Sequence, residues 1–207
     1  MPKEHEIRIY ARSDGAEPYT VWERGLADRT VRGRIRARIA RLRLGNFGDS
    51  KRVGEVFELR IDVGPGHRVY YGREGDDVVI LLCGGDKASP GTSSAPKRTG
   101  ATIGVETMAK ARDYREHLDQ VLRNDEEAVA YLNAALAEDD PETFLLALRD
   151  VARAREGGLA ALAETARVNR EHLYRMLSEN GNPELRSLEA LLDALGFRLS
   201  VELKTAV

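Results

Sequence analysis

A break in composition near the middle of the chain most constrains its fold. Residues 88–104 read ASPGTSSAPKRTGATIG, which is rich in Ser, Thr, Gly and Pro and has no hydrophobic period. Such composition is typical of a linker. The 207-residue chain is long enough for two small domains that each bury a core. The sequence therefore predicts one domain at 1–87, a linker at 88–107 and a second domain at 108–207.

Charge is also divided unevenly along the chain. The net charge is -2, but residues 1–100 hold 19 Lys and Arg against 14 Asp and Glu, and the remainder holds 13 against 20. Such asymmetry indicates one part that faces nucleic acid and an acidic part suited to cover it.

The first part has the pattern of an α+β domain with N-terminal helices and a small antiparallel sheet. Residues 30–44 place apolar side chains at spacings of four and three, which favours a helix, although the alternating arginines also fit a strand. Alternating apolar residues and turn signals predict strands at Glu6–Tyr10, Val56–Asp62, His67–Gly72 and Val78–Cys83, the last three in an antiparallel meander.

The second part has the pattern of an all-α domain. Helical spacing predicts helices at Asp125–Ala137, Pro141–Ala154, Leu159–Thr165, Arg170–Leu177 and Leu185–Leu195. Arg198–Lys204 then alternates like a short strand.

Residues 159–177 have the spacing of a helix-turn-helix. Asn169 is suited to cap the second helix, whose outward residues are Arg170, Glu171, His172, Tyr174 and Arg175. Polar side chains at such a helix are able to contact bases and phosphates in the major groove. A plain helical hairpin with a solvated charged face fits the periodicity equally well.

The motifs AYLNAAL and LYRMLSENGNPELRSLEALLDALG carry a resemblance to the HigA class of addiction-module antidote proteins, over about the last 95 residues. The resemblance implies an autorepressor that binds operator DNA through Asn169, Arg170, His172, Tyr174 and Arg175, as a homodimer on two half-sites. Arg167 departs from the family, which usually has glycine there because the backbone favours positive φ; the expected strain is about 1 kcal/mol.

The first part resembles the RelE/ParE toxins, in their phage-derived, HigB-like branch. The motifs are RARIARLRLGNFGDSKRVGE, VFELRI, GPGHRVYYG and LLCGGDK, within Tyr10 to Lys87. The resemblance implies cleavage of messenger RNA, typically on the ribosome. In stand-alone relatives a C-terminal helix follows the GGDK segment, whereas here linker composition follows it. The toxin is therefore either a remnant or completed by the antidote's first helix near Ala109–Leu122, and both readings predict masked or lost activity.

Cleavage of RNA by its own 2′-hydroxyl needs a base, an acid and fixed positive charge on the phosphate. The candidate catalytic residues are Lys87, Arg68, Arg60 and Tyr70, at or near the ends of adjacent strands. Alternation puts Arg68 and Tyr70 on one face, and His67 and Tyr71 on the other. His67 is a second candidate base, though a solvated turn residue is the plainer interpretation, and Arg60 has Asp62 or Glu58 as ordinary ion-pair partners.

The seven arginines from Arg29 to Arg43 are expected to form a mostly solvated face, suited to ribosomal RNA or to an acidic antidote. Arg36, Arg43 and Lys51 are the candidate RNA-binding residues.

The leading hypothesis is a toxin–antitoxin fusion in which the two halves contact each other within one chain or between chains. The alternatives are a DNA-binding regulator with an inactive toxin-like domain and a ParE-like gyrase inhibitor. The four scattered histidines and the single Cys83 fit no zinc site, so no metal or cofactor is expected. With no apolar run of membrane-span length and no secretory signal in the sequence, the expected location is the cytoplasm.

Overall fold

One mixed sheet and eight helices are present in the computed structural model, which describes residues 4–86, 111–178, 180–201 and 203. The strands lie in the order β2-β3-β4-β5-β1-β6. Their bounds are β1 (Glu6–Ile9), β2 (Ser50–Val53), β3 (Val56–Ile61), β4 (His67–Glu74), β5 (Val78–Asp86) and β6 (Arg112–Asp113).

Two of these helices precede the meander and six follow β6. They are α1 (Pro18–Gly25), α2 (Arg29–Arg43), α3 (Tyr114–Leu122), α4 (Asp125–Leu136), α5 (Pro141–Ala154), α6 (Gly158–Thr165), α7 (Arg170–Met176) and α8 (Leu185–Ala194). Five of them begin at an Asp or Asn whose side chain accepts a hydrogen bond from a backbone N–H of the first turn. These caps satisfy donors that the helix itself leaves unpaired, so the sequence fixes where the helices start.

Most predicted elements are present with small shifts of their ends, but three expectations were wrong or incomplete. β1 runs parallel to β5, so the sheet is mixed and not antiparallel. No strand forms at 198–201 or at 203, where the sequence alternates. Helix α1 and strands β2 and β6 were not predicted. Lys87, the predicted linker and the segment before Arg112 lie outside the described residues, apart from Ala111.

The N-terminal part (residues 4–86) and the C-terminal part (residues 111–203) share one hydrophobic core. Helix α2 lies between the sheet and helices α4 and α5, with Ile35, Ile39 and Leu42 fully buried. Gly33 allows the closest approach, because a Cβ there would lie 2.4 Å from the carbonyl oxygen of Ala130 on α4. Strand β6 also joins the two parts, since it pairs with β1. The two parts are therefore packed against each other within one chain.

Candidate functional site

A cluster of polar side chains lies on the sheet face opposite α2. The register of β3 and β4 places Glu58 beside Tyr70 and Arg60 beside Arg68, so all four project from the same face. Lys51 lies opposite Glu58 on β2, and Cys83 lies opposite Tyr70 on β5. The predicted grouping of Arg68 with Tyr70 is thus present, and Arg60 and Lys51 belong to the same face.

Glu58 holds this cluster together. Its carboxylate accepts hydrogen bonds from Arg60 Nε at 3.0 Å and from the Tyr70 hydroxyl at 3.1 Å. Arg68 Nη1 lies 3.6 Å from the same carboxylate. Glu58 is 8% exposed at its side chain, whereas Arg60 and Arg68 are 40% and 36% exposed. The two guanidiniums are therefore anchored at one side and open to solvent at the other, as a site for a phosphate requires.

The surroundings of Tyr70 keep its phenol protonated. Burial raises the pKa of Tyr70, and the Glu58 carboxylate raises it further, although Arg68 opposes both. Burial also raises the pKa of Cys83 to about 11, so its thiol is a poor nucleophile at neutral pH. Around the buried Glu58 carboxylate this face thus offers two guanidiniums and one phenolic proton donor, with Lys51 beside them.

His67 and Tyr71 lie on the other face, away from this cluster. His67 is buried against Trp22, with ring centroids 6.2 Å apart, and burial lowers the pKa of its imidazole. The interpretation of His67 as a solvated turn residue was wrong. Tyr71 is fully buried and donates a hydrogen bond to Ser50.

A second set of charged groups lines the boundary between the two parts. Arg36 of α2 donates to Glu23 of α1 at 2.7 Å and to Glu127 of α4 at 2.5 Å. His117 of α3 donates to the other oxygen of Glu23 at 2.7 Å. Burial alone would raise the pKa of Glu23, but Arg36 and His117 outweigh it and hold the pKa below its ordinary value of 4.5. Arg32 also donates to Glu127.

The end of α2 makes the same kind of contact. Arg43 donates to Asp150 of α5 at 2.6 Å and to Glu4 at 3.1 Å, and Arg41 donates to Glu138 at 2.8 Å. Asp150 is fully buried and also accepts from the hydroxyl of Tyr131 at 3.1 Å.

The expectation that the seven α2 arginines form a mostly solvated face was wrong, because Arg29 alone among them is exposed and the two assigned to RNA are buried. Arg36 and Arg43 are each 2% exposed, because carboxylates of the C-terminal part and the core of α2 enclose them. Of the three candidate RNA-binding residues only Lys51 is exposed in this arrangement. Acidic residues of the C-terminal part contact helix α2, the arginine helix, instead. An acidic partner was the alternative to ribosomal RNA that the sequence analysis left open.

Helices α6 and α7 form the predicted helical hairpin. Leu173 and Met176 anchor α7 in the core, and the side chain of Asn169 accepts from the backbone N–H of Glu171. The predicted outward residues Arg170, His172, Tyr174 and Arg175 are all exposed. Arg167 in the turn has φ 54, which confirms the expected left-handed backbone at a residue other than glycine.

Sequence reasoning missed the acidic partners. Glu58 was noted only as one ion-pair partner for Arg60. Its position two residues before Arg60 on the same strand indicated that it lies on the same face as the candidate catalytic residues. Glu127, Glu138 and Asp150 gave no signal, since each is an ordinary charged residue of a helix and its partner lies 91 to 107 residues away.

No group of three or more His, Cys, Asp or Glu side chains in the described ranges is arranged to hold a metal ion. None of the helices described is both long and apolar enough to cross a bilayer.

Comparisons with known proteins concern the C-terminal part. Residues 113–203 match the model of a family described as probable addiction module antidote protein. Two uncharacterized proteins of Haemophilus influenzae are also similar. One is 51% identical over 69 residues, 33% of this chain and 70% of that protein. The other is 39% identical over 90 residues, 44% of this chain and 87% of that protein.

No solved structure matches the chain. Residues 113–203 span helices α3 to α8, which include the acidic residues that contact α2 and the exposed helix α7. Through these residues the chain belongs to the family of probable addiction module antidote proteins.

Proposed function

We propose that this chain is a toxin–antitoxin fusion, in which an antidote half neutralises a RelE/ParE-type toxin half. An addiction-module antidote acts on a toxin, and the N-terminal part offers the basic partner that such an antidote needs. The observation that carries the proposal is the contact of Glu127, Glu138 and Asp150 with the arginines of α2. Buried ion pairs of this kind give specificity between partners, because a wrong partner leaves the charges unpaired.

The toxin half cleaves RNA at the cluster around Glu58. Arg60 and Arg68 bind the scissile phosphate through their exposed sides and stabilise the charge that develops on it. Water takes the proton of the ribose 2′-hydroxyl, the 2′-oxygen attacks phosphorus, the bond to the 5′-oxygen breaks, and a 2′,3′-cyclic phosphate and a 5′-hydroxyl form. Tyr70, protonated at neutral pH, donates a proton to the leaving 5′-oxygen. Lys87 follows directly after β5 in the chain and remains the predicted fourth member.

Glu58 positions this machinery. Its carboxylate fixes the side chain of Arg60 and the hydroxyl of Tyr70, so that neither needs to be ordered when RNA binds. An arginine held in this way retains free N–H donors for a phosphate, because the guanidinium has five of them.

Neutralisation acts on the arginine helix and not on the cluster. The antidote half contacts α2, on the side of the sheet away from Glu58. Arg36 and Arg43 are then unable to reach RNA phosphates, and their charges are compensated. The toxin half keeps its chemistry but loses part of the surface by which it would bind ribosomal RNA.

The antidote half also binds operator DNA through α7. The exposed Arg170, His172, Tyr174 and Arg175 support this second activity, because all four project from the same short helix, which the buried Leu173 and Met176 anchor. The intact fusion therefore represses transcription from its operator, because its antidote half binds both the toxin half and DNA.

The two halves, produced as separate chains, provide the test. Inducing residues 1–99 alone is expected to arrest bacterial growth and to cleave messenger RNA, and co-induction of residues 108–207 is expected to restore growth. Arg68→Ala in the fragment is expected to abolish arrest, whereas Arg52→Ala, an exposed arginine of the neighbouring strand β2, serves as the matched control. Normal growth with a soluble, folded fragment would contradict the toxin activity. Arrest with intact RNA and inhibited supercoiling would indicate a gyrase inhibitor.

A further inference from the structure

A cavity of about 370 Å³ lies at the boundary between the two parts, where α1 and α2 meet α3 and α4. Five of the nine described residues that line it belong to the N-terminal part and four to the C-terminal part. Four are arginines, two are glutamates and two carry side-chain amides, and Val121 is the only apolar one among the nine. The cavity is therefore polar and basic, and a ligand in it would touch both parts.

The two glutamates of this cavity already have partners. One carboxylate oxygen of Glu23 accepts from Arg36 and the other from His117, both at 2.7 Å. One oxygen of Glu127 accepts from Arg32 and the other from Arg36 at 2.5 Å. Neither carboxylate is therefore free to compensate the remaining arginines of the cavity.

The arginines that remain are Arg24 and Arg29. Arg24 lies in the last turn of α1, is exposed, and has no ion pair or side-chain hydrogen bond with any residue that the structure describes. Arg29 lies 2.5 Å from Glu126 and 3.9 Å from Glu127, and its side chain and that of Glu126 are 55% and 62% exposed. An exposed pair of this kind is weak, because water and salt screen it. The cavity thus has one unpaired guanidinium and a second that a ligand is able to recruit.

Two amides supply further donors. The side-chain oxygen of Asn124 accepts from the backbone N–H of Glu127, which leaves the amide nitrogen of Asn124 as the group with donors to offer. Gln120 is exposed in the last turn of α3 and lines the same cavity. Guanidiniums and amides together form a set of donors that matches the oxygens of phosphate.

We propose that this cavity binds the phosphate chain of a small polyphosphate. Its volume is within the range of small-ligand sites, and the guanidiniums of Arg24 and Arg29 contact phosphate oxygens in the bidentate manner that arginine favours. No aromatic ring is among the nine lining residues described, so none of them stacks on a nucleobase. A nucleoside triphosphate is therefore held by its phosphates alone, as a free polyphosphate is.

A ligand at this position bridges the two parts. Its donors come from α1 and α2 on one side, and from α3 and the residue that caps α4 on the other. Binding therefore stabilises the packed arrangement of the two parts relative to the unfolded chain, and more so as the ligand concentration rises. The site is independent of RNA cleavage and operator binding, because it shares no residue with the Glu58 cluster or with α7.

Isothermal titration calorimetry of the full chain with sodium tripolyphosphate tests the proposal, at an ionic strength of about 0.15 M so that diffuse charge attraction is screened. We expect one site per chain, a similar affinity for magnesium-free ATP, and no binding of adenosine. Arg24→Ala is expected to weaken the binding of tripolyphosphate about tenfold or more, because a hydrogen bond between charged groups is lost. Arg52→Ala removes the same charge from an exposed arginine of β2, outside the cavity, and is the matched control.

Thermal unfolding gives a second readout. Tripolyphosphate is expected to raise the Tm of the wild-type chain and of Arg52→Ala, and to raise that of Arg24→Ala less at the same concentration. Because Arg24 is exposed, its substitution is expected to leave the fold intact, which circular dichroism checks.

Three outcomes would overturn the proposal. They are no binding of tripolyphosphate by the wild-type chain, equal weakening in the two variants, which would indicate diffuse attraction to a basic surface, and binding of adenosine, which would indicate a nucleoside site. None of these measurements involves RNA or DNA, so their outcome is independent of the growth test of the two halves.

Discussion

Arg43 and Asp150 form a buried ion pair across the boundary between the two parts, with 2.6 Å between Nη1 and Oδ2 and neither side chain more than 3% exposed. The two residues are 107 positions apart in sequence. Burial opposes the charge of Arg43, yet Asp150, with lesser contributions from Tyr131 and Glu4, raises the pKa of its guanidinium. The guanidinium of Arg43 is therefore charged in the folded chain.

Asp150→Asn is expected to lower the free energy of unfolding by up to roughly 3–5 kcal/mol, because it leaves the buried guanidinium of Arg43 with only the more exposed Glu4 as counter-charge. Urea unfolding of the full chain measures this. Asp125→Asn is the control, since Asp125 pairs with Arg155 at an exposed position and its loss should cost less than about 1 kcal/mol. Equal losses in the two variants would mean that the buried pair contributes no more than a surface pair.

Gly33→Ala is expected to be destabilising although alanine is the better helix former by about 1 kcal/mol. The added Cβ would meet the backbone of Ala130, so α2 and α4 would have to separate, at a net cost of roughly 1–3 kcal/mol. Gly25→Ala at the end of α1 has nothing within 4 Å and serves as the control. Thermal unfolding compares the two variants, and a stabilised Gly33→Ala chain would show that the approach of the helices is not tight.

Arg167→Gly is expected to raise the free energy of unfolding by up to about 1 kcal/mol, because glycine adopts the left-handed φ of 54 without strain. Arg123→Gly is the matched control. Arg123 has φ -65 and ψ -22, so glycine gains nothing there and should destabilise by about 0.5–1 kcal/mol. If chemical unfolding shows that both substitutions change the free energy of unfolding in the same direction, the backbone at Arg167 is not strained.

The stability of the chain is expected to fall in acid through the carboxylates at the boundary. The pKa values of Glu23 and Glu127 in the folded chain lie below their ordinary value of 4.5. Their contribution is therefore complete above about pH 4.5 and is lost as the pH falls through the folded values. Glu23→Gln should make the free energy of unfolding less dependent on pH in this range. An unchanged dependence, measured by urea unfolding at a series of pH values, would show that Glu23 does not carry the effect.

Glu58→Gln is expected to lower the pKa of Tyr70. Removing the carboxylate removes a charge that disfavours the phenolate and leaves Arg68, which favours it. Titration of the chain with labelled tyrosine, followed by NMR, measures the shift directly. Glu55→Gln, at an exposed position before β3, is expected to leave the pKa of Tyr70 where it is. No shift in Glu58→Gln would argue against contact between the carboxylate and the phenol.

Local pattern was enough to predict most elements and one of the two charged groupings. Period-two alternation placed Arg68 and Tyr70 on one face of β4. Glu58 lies opposite Tyr70 on the neighbouring strand β3, so knowing how β3 and β4 pair would have completed the cluster. The start of α5 follows from Pro141 and the cap at Asp140. Helix α1 was missed because Pro18–Gly25 is short and its buried residues include Thr20 and Glu23, which interrupt the apolar pattern.

The boundary between the two parts was beyond local reasoning. Arg36 and Arg43 lie on α2 among other arginines that are only partly buried, and the packing of α4 and α5 decides which of them are fully enclosed. The parallel pairing of β1 with β5 also depends on tertiary packing. A parallel pair is joined by a long crossover, here beginning with α1 and α2, and not by a short turn that the sequence would reveal.

The separation of 107 residues between Arg43 and Asp150 also has a consequence in time. Ribosomes add about 5–20 residues per second, so in every round of synthesis Arg43 is incorporated about 5 to 20 seconds before Asp150, the last acidic partner of its helix. During that interval each nascent chain exposes the basic surface that the finished chain conceals, while it is still attached to a ribosome.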